Sequence, residues 1–179
     1  MDKGIAVYCA SSDKIAQTYF DAARRLGHAI ATAGMPLIDG AGRIGLMGAV
    51  NDACLDAGGC AIGVIPAFMV ELGLQHDGLT ELHVVRTMHE RKAKMASLAR
   101  GVIALPGGIG TFEELTEIMT WQKLGLFDGR VAVLNTGGYY DPFLAMLDRA
   151  ASDGFIDTSF RTGFLATESV DEALRFVLS

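Results

Sequence analysis

One stretch constrains this chain more than any other: Gly101-Val102-Ile103-Ala104-Leu105-Pro106-Gly107-Gly108-Ile109-Gly110-Thr111-Phe112-Glu113-Glu114. Its apolar run with two β-branched residues, stopped by Pro-Gly-Gly, predicts a buried strand that ends abruptly. Phe112, Leu115, Ile118 and Met119 then recur at helical spacing, so a helix is expected from about Thr111 to about Leu124. A strand, a glycine-rich turn and a helix N-terminus together make an anion site, because the first helical amides and the helix dipole attract phosphate and glycine lets a ligand approach. The Lys-[Ser/Thr] pair of a P-loop is missing, and two carboxylates, Glu113 and Glu114, stand there instead. Two readings of Glu114 stay open. Thr111-x-x-Glu114 fits a capping box, which needs no ligand. A carboxylate beside a phosphate cradle equally suits chemistry on a phosphorylated molecule.

Short, nearly all-apolar runs alternate with helical patterns along the rest of the chain. Ile5–Cys9 reads as a first strand, followed by the turn Ala10-Ser11-Ser12-Asp13 and a helix over about Lys14–Thr32. Met35–Asp39 reads as the second strand, the glycine turn Gly40–Gly48 follows, and a small-residue helix runs to about Ala57. Cys60–Ile65 and Leu82–Val85 are further strands, with a connection over 66–81 long enough to serve as a lid. Thr87-x-x-Glu90 opens another helix as a capping box, and Val131–Asn135 is a buried strand. A helix near Phe143–Ala151, a weak strand at Arg161–Leu165 and a Ser169–Leu178 helix capped by Ser169 complete the order. This alternation predicts a doubly wound α/β fold, a Rossmann-like parallel sheet with helices on both faces, in which ligands lie past the carboxyl ends of the strands. With 179 residues, a single domain is expected.

Gly40-Ala41-Gly42-Arg43-Ile44-Gly45 matches the dinucleotide pattern G-x-G-x-x-G. The following strand ends in Pro66 where an acidic residue should hold a ribose, so a phosphate- or ribose-contacting loop, or a structural turn, competes with NAD binding. Arg91, Lys92 and Lys94 sit early in their helix, against the dipole preference. They make either a solvated basic face or a set that binds phosphate or pairs with a catalytic carboxylate. The net charge of −6 argues against nucleic-acid or anionic-membrane partners, so any anion site must be local. Three cysteines without CxxC spacing, four scattered histidines, a Met1–Gly4 start that runs straight into a strand and no long apolar span point to a reducing, cytoplasmic setting without a metal centre.

Taken together, Pro106–Glu114 (PGGxGTxxE), Met88-His89-Glu90-Arg91-Lys92, Cys9-Ala10-Ser11-Ser12 and Gly45-Leu46-Met47-Gly48 resemble the blocks of the LOG ("Lonely Guy") family. The resemblance covers nearly the whole chain. It implies a cytokinin riboside 5′-monophosphate phosphoribohydrolase, which splits the N-glycosidic bond of an N6-modified AMP into free base and ribose 5-phosphate, works as a homodimer and uses no cofactor. By position it implies Arg91 and Glu114 as the catalytic pair. Lys92, Gly108, Ile109, Gly110, Thr111, Phe112, Glu113 and Thr120 would contact the nucleotide, with Met88, Ser12, Gly42 and Gly45 from the other blocks also at the substrate. Apolar residues around Met119, Trp121, Leu124, Leu126 and Phe127 would suit a dimer contact. Three positions depart from the family pattern: Ala10 and Ala41 replace glycines, and Gly73 stands where many relatives carry a Glu. Such proteins are often labelled lysine decarboxylases, a reaction that needs pyridoxal phosphate, and no lysine here is marked out for a Schiff base. The alternatives are a broader nucleoside-monophosphate nucleosidase and a non-catalytic nucleotide or cofactor carrier.

Overall fold

The computed structural model describes residues 3–179, so Met1 and Asp2 of the Met1–Gly4 start lie outside the described residues. The elements follow in the order β1 (Gly4–Tyr8), α1 (Gln17–Thr32), β2 (Leu37–Asp39), α2 (Gly45–Asp56), β3 (Ala61–Pro66), α3 (Ala67–Glu71), β4 (Glu81–Val85) and α4 (Met88–Leu98). The second half comprises β5 (Ala99–Ala104), α5 (Ile109–Lys123), β6 (Arg130–Leu134), α6 (Asp141–Ser152), α7 (Thr158–Thr162), β7 (Phe164–Thr167) and α8 (Val170–Leu178). The strands form one sheet in the order β4-β3-β2-β1-β5-β6-β7, every pair parallel.

Side chains alternate across this sheet as a two-residue period requires. Ile5, Val7, Ile103 and Leu105 join α1, α2 and α8 on one face; Ala6, Tyr8, Val102 and Ala104 join α4, α5 and α6 on the other. The chain winds outward from β1 to β4, then returns to place β5 against the free side of β1. That reversal opens a crevice at the carboxyl ends of β1 and β5, the place where open α/β sheets bind ligands. The two ends are tied together by the Ala10 amide, which donates to the Pro106 carbonyl at 3.2 Å.

Several boundaries differ from the sequence expectation, each for a local reason. Helix α1 starts at Gln17 rather than Lys14, because the Lys14 amide donates to Ser12 Oγ at 3.3 Å and holds a turn there. Helix α5 starts at Ile109 with Gly108 as its cap, so the Thr111–Glu114 capping box does not form and Glu114 is free to face elsewhere. The 66–81 connection is not a loose lid. It contains α3, and its later part is pinned to the glycine turn: Arg43 N–H donates to the Leu74 carbonyl, His76 N–H to the Ala41 carbonyl, and Gln75 bridges Gly42. The expected strand at 161–165 begins only at Phe164, because the Asp157 side chain caps α7 and draws Thr158–Thr162 into a helical turn. Of the apolar residues read as a dimer contact, Met119 and Phe127 belong to the core, whereas Leu124 and Leu126 stay 66% and 70% exposed. Thr87 and Ser169 do cap α4 and α8, through the Glu90 and Glu172 amides.

Candidate active site

The crevice holds a cavity of about 450 Å³. Its walls come from the β1 turn (Cys9–Ser12), the β2 turn (Gly40, Gly42–Ile44), Met47 of α2, Met69 and Leu74 of the 66–81 segment, Arg91, Gly108–Thr111 and Glu114.

At its centre α4 meets α5. Arg91 and Glu114 are only 5% and 7% exposed, and Arg91 Nη1 donates to Glu114 Oε1 at 3.2 Å. Two further bonds lock the guanidinium: Nε to the Val64 carbonyl at 3.0 Å and Nη2 to the Gly40 carbonyl at 3.3 Å. The neighbouring Lys92, also buried, turns the other way, donating to Glu113 Oε1 and to Glu117 Oε1, the latter at 3.0 Å. These pairings explain why cations stand early in α4 against its dipole: both neutralise carboxylates of α5. Burial pushes the Glu114 carboxyl above the usual carboxylate range; Arg91 draws it back, Glu113 raises it, Lys92 lowers it and Glu117 raises it, with a net upward shift. Burial lowers the Lys92 ammonium, but its bonds to Glu113 and Glu117 outweigh that and hold it above its ordinary value.

The opposite wall is the start of α5. Its first internal bond is Phe112 N–H to the Gly108 carbonyl, so the amides of Ile109, Gly110 and Thr111 have no carbonyl inside the helix to bond. Gly108 has no side chain to cap them. The three glycines of this turn answer different demands. A Cβ at Gly107 would lie 2.0 Å from Thr111 Oγ1, whereas a Cβ at Gly108 or Gly110 would meet nothing within 4 Å, because these two face open space. Two tyrosines brace the turn from behind. Tyr139 Oη donates to the Gly107 carbonyl at 2.5 Å, and Tyr140 Oη to the Leu105 carbonyl at 2.7 Å.

The second glycine turn is built otherwise. The Ala10 carbonyl accepts from Leu46 and Met47 N–H at 2.9 and 3.3 Å, closing the start of α2 with the chain's own backbone. That helix end is no open phosphate cradle, although Gly42 and Arg43 still line the cavity.

Of the residues named from sequence, Ser12, Gly42, Arg91, Gly108, Ile109, Gly110, Thr111 and Glu114 come together around this cavity. The others do not reach its lining. Lys92 and Glu113 are turned to each other, and Phe112 stacks on Tyr139 and Phe143. Gly45, at φ +68°, lets α2 press on the backbone of Ser11 and Ser12. Met88 is the exposed first residue of α4, and exposed Thr120 returns its hydroxyl to the Thr116 carbonyl. Met69 and Leu74 escaped the sequence reading, since nothing in a loop's composition says which residues fold back. A more open hollow of about 800 Å³ between α1, α2 and the start of α8 holds Arg24, Arg25, His28, Asp56 and Asp171. It lacks a buried acid–base pair and an open glycine turn, so the crevice is the candidate site.

A doubly wound sheet whose switch point joins an uncapped helix N-terminus to a buried arginine–carboxylate pair defines a Rossmann-like α/β protein with a cavity at its switch point. The chain belongs to the LOG family: the family model described as "Possible lysine decarboxylase" matches residues 47–177. It is similar to the cytokinin riboside 5′-monophosphate phosphoribohydrolase of Rhodococcoides fascians, 41% identical over 99% of this chain and 90% of that protein. The protein of that name called LOG from Oryza sativa subsp. japonica is 44% identical over 94% of this chain and 69% of its own length. Among solved structures, the molybdenum cofactor binding protein of Rippkaea orientalis superposes with a TM-score of 0.76 at 21% identity, covering 99% of this chain and 97% of that one. At that identity the likeness is one of fold.

Proposed function

We propose that this chain hydrolyses the N-glycosidic bond of a cytokinin riboside 5′-monophosphate, releasing the free N6-modified adenine and ribose 5-phosphate. The observation that carries the reading is that the Arg91–Glu114 pair and the open amides of α5 share one cavity. In this assignment the Ile109–Thr111 amides and helix dipole hold the 5′-phosphate, so binding remote from the reacting bond positions it. As the bond from C1′ to the base breaks, its electron pair leaves with the base, which takes a proton from solvent, and positive charge builds on the ribose. The Glu114 carboxylate stabilises that charge and accepts the proton of the water that adds to C1′. Arg91 draws this carboxyl back against its burial and fixes its direction. The wall of Ile44, Met47, Met69, Leu74 and Ile109 favours an apolar substituent on the base over plain AMP.

In the same reading residues 1–179 act as one domain in the cytoplasm and pair as a homodimer, with exposed Leu124 and Leu126 available to an interface. Sedimentation as a 19.0 kDa species would refute the dimer. The activity test is a chromatographic assay with AMP and N6-isopentenyl-AMP, with Glu114→Gln as control. Free base and ribose 5-phosphate from the wild type alone support the assignment. Turnover surviving in Glu114→Gln refutes the role of Glu114, and ligand binding without turnover would make the protein a carrier.

A further inference from the structure

Asp39 ends β2, is fully buried, and has no part in the mechanism above. Its Oδ1 accepts the Ala41 amide at 2.8 Å, and its Oδ2 accepts Asn51 Nδ2 at 2.9 Å. The Ala41 amide belongs to the peptide group whose other end is the Gly40 carbonyl. That carbonyl accepts Arg91 Nη2. In a trans peptide the N–H and C=O point in opposite directions, so one planar unit is gripped by a carboxylate on one side and a guanidinium on the other. The unit needs gripping. Ala41 is the one non-glycine with positive φ (62°) among the described residues, a conformation costing about 1–2 kcal/mol for an L-residue. A hydrogen-bonded chain of this kind polarises along its length, each bond strengthening the next.

We propose that Asp39 is a positioning residue of this active site: its carboxylate fixes the Gly40–Ala41 peptide so that the Gly40 carbonyl holds the Arg91 guanidinium against Glu114. The proposal rests on the hydrolase reading for its kinetic readout. The titratable groups facing Asp39 are Arg91 of α4, His76 of the segment after α3, Cys9 at the end of β1 and Cys54 of α2. Burial pushes both thiols up, Cys54 to about 11, so they stay neutral around pH 7. Burial also lifts Asp39 to about 7, against the pull of the Ala41 amide, Asn51, Arg91 and His76. The grip therefore gains its charge as pH rises through neutrality.

The experiment compares wild type, Asp39→Asn and Asn51→Ala. Asp39→Asn keeps the shape and an acceptor for Ala41 N–H, and Asn51 can turn its carboxamide over, because its Oδ1 is buried without a partner. The expected result is a fall in kcat of roughly 10- to 100-fold with KM changed by less than about threefold, the size of effect that loss of alignment produces. The wild-type rise of kcat through about pH 7 disappears in Asp39→Asn, and in Asn51→Ala it moves to higher pH, since the bond that lowers the Asp39 carboxyl is gone. A role in folding alone would move neither profile. The Arg91 Nε–H resonance, assigned with Arg91→Lys, gives a readout independent of turnover, and its solvent exchange should quicken in Asp39→Asn. An unchanged pH profile with unchanged exchange overturns the proposal. If the wild type releases no base from AMP or N6-isopentenyl-AMP, the hydrolase reading fails by itself. The exchange rate then decides alone: quickened exchange sustains the positioning role and unchanged exchange overturns it.

Discussion

Replacing Gly40 by alanine tests the site through a single methyl group. The φ of Gly40 is not in the left-handed region, so its backbone accepts alanine without strain. The obstacle is Arg91. A Cβ at Gly40 would fall 1.6 Å from Nη2 and 2.8 Å from Cζ, and the guanidinium must retreat by about 2 Å to reach ordinary contact distance. Its bonds to Glu114 and to the Gly40 carbonyl, at 3.2 and 3.3 Å, do not survive such a shift. Glu114, itself buried, then loses its cation, and breaking a buried pair costs about 3–5 kcal/mol. For a domain of this size that is a drop in Tm of roughly 10 °C. Without Arg91 the Glu114 carboxyl, already raised by burial, rises further, so the folded state holds a proton that the unfolded state releases. The penalty is therefore least in acid and grows as pH rises toward 8.

The partner experiment is Gly108→Ala, where a Cβ meets nothing within 4 Å and φ is −93°. Alanine is a poorer N-cap than glycine, but it reduces the freedom of the unfolded chain, so the two effects nearly cancel, to within about 1 kcal/mol. Its methyl group points into the space assigned to phosphate, so KM should rise while Tm holds. Thermal unfolding at pH 5.5 and 8, together with kcat and KM on N6-isopentenyl-AMP, reads both variants. Gly40→Ala with wild-type Tm and a kcat within about tenfold of wild type would refute the geometry assigned to Arg91, since even a 1 Å misplacement is expected to cost about 100-fold.

Tyr140→Phe removes the buried hydroxyl that donates to the Leu105 carbonyl and should lose about 1–2 kcal/mol in urea unfolding at unchanged m-value. Lys92→Met leaves Glu113 and Glu117 without their shared cation; because those carboxylates are 53% and 28% exposed, screening limits the loss to about 1 kcal/mol, and the loss should shrink in added salt. Asp39 gives a stability signature of its own. Its folded-state carboxyl, raised to about 7, favours folding while protonated, so wild-type stability falls from about pH 4 toward 7, and urea titrations of Asp39→Asn should lack that slope.

The sheet was legible because buried parallel strands are nearly unbroken apolar runs, and β1, β5 and β6 carry that signal within five or six residues each. The glycine turn was legible for the same local reason, since Pro-Gly-Gly stops the apolar run and a helix follows at once. What failed was the exact start of α5. Thr111-x-x-Glu114 has the form of a capping box, but Gly108 caps the helix with backbone alone and leaves no side-chain signature. The consequence reaches the chemistry. Starting the helix at Ile109 makes Thr111 its third residue, so Glu114 lies beyond the cap and faces inward.

The contact between Arg91 and Glu114 joins residues 23 apart and could not be read from spacing; the family resemblance supplied the pair, and the packing of α4 on α5 gives it a reason. Adjacent helical residues diverge by about 100°, so Arg91 and Lys92 must address different partners. So must Glu113 and Glu114, while Glu117 returns to the side of Glu113. The two cations and three carboxylates thereby sort into two groups: an exposed-side set around Lys92 and a buried pair with one member of each sign. Asp39 adds a second buried carboxyl behind Arg91, joined to it through one peptide. Arg91 thus stands between two carboxyls, both pushed up by burial and both drawn part of the way back by its charge. Asp39, joined to the guanidinium through the Gly40–Ala41 unit rather than by a direct bond, is lifted to about 7 and so exchanges its proton around neutral pH, directly behind the cation that fixes Glu114.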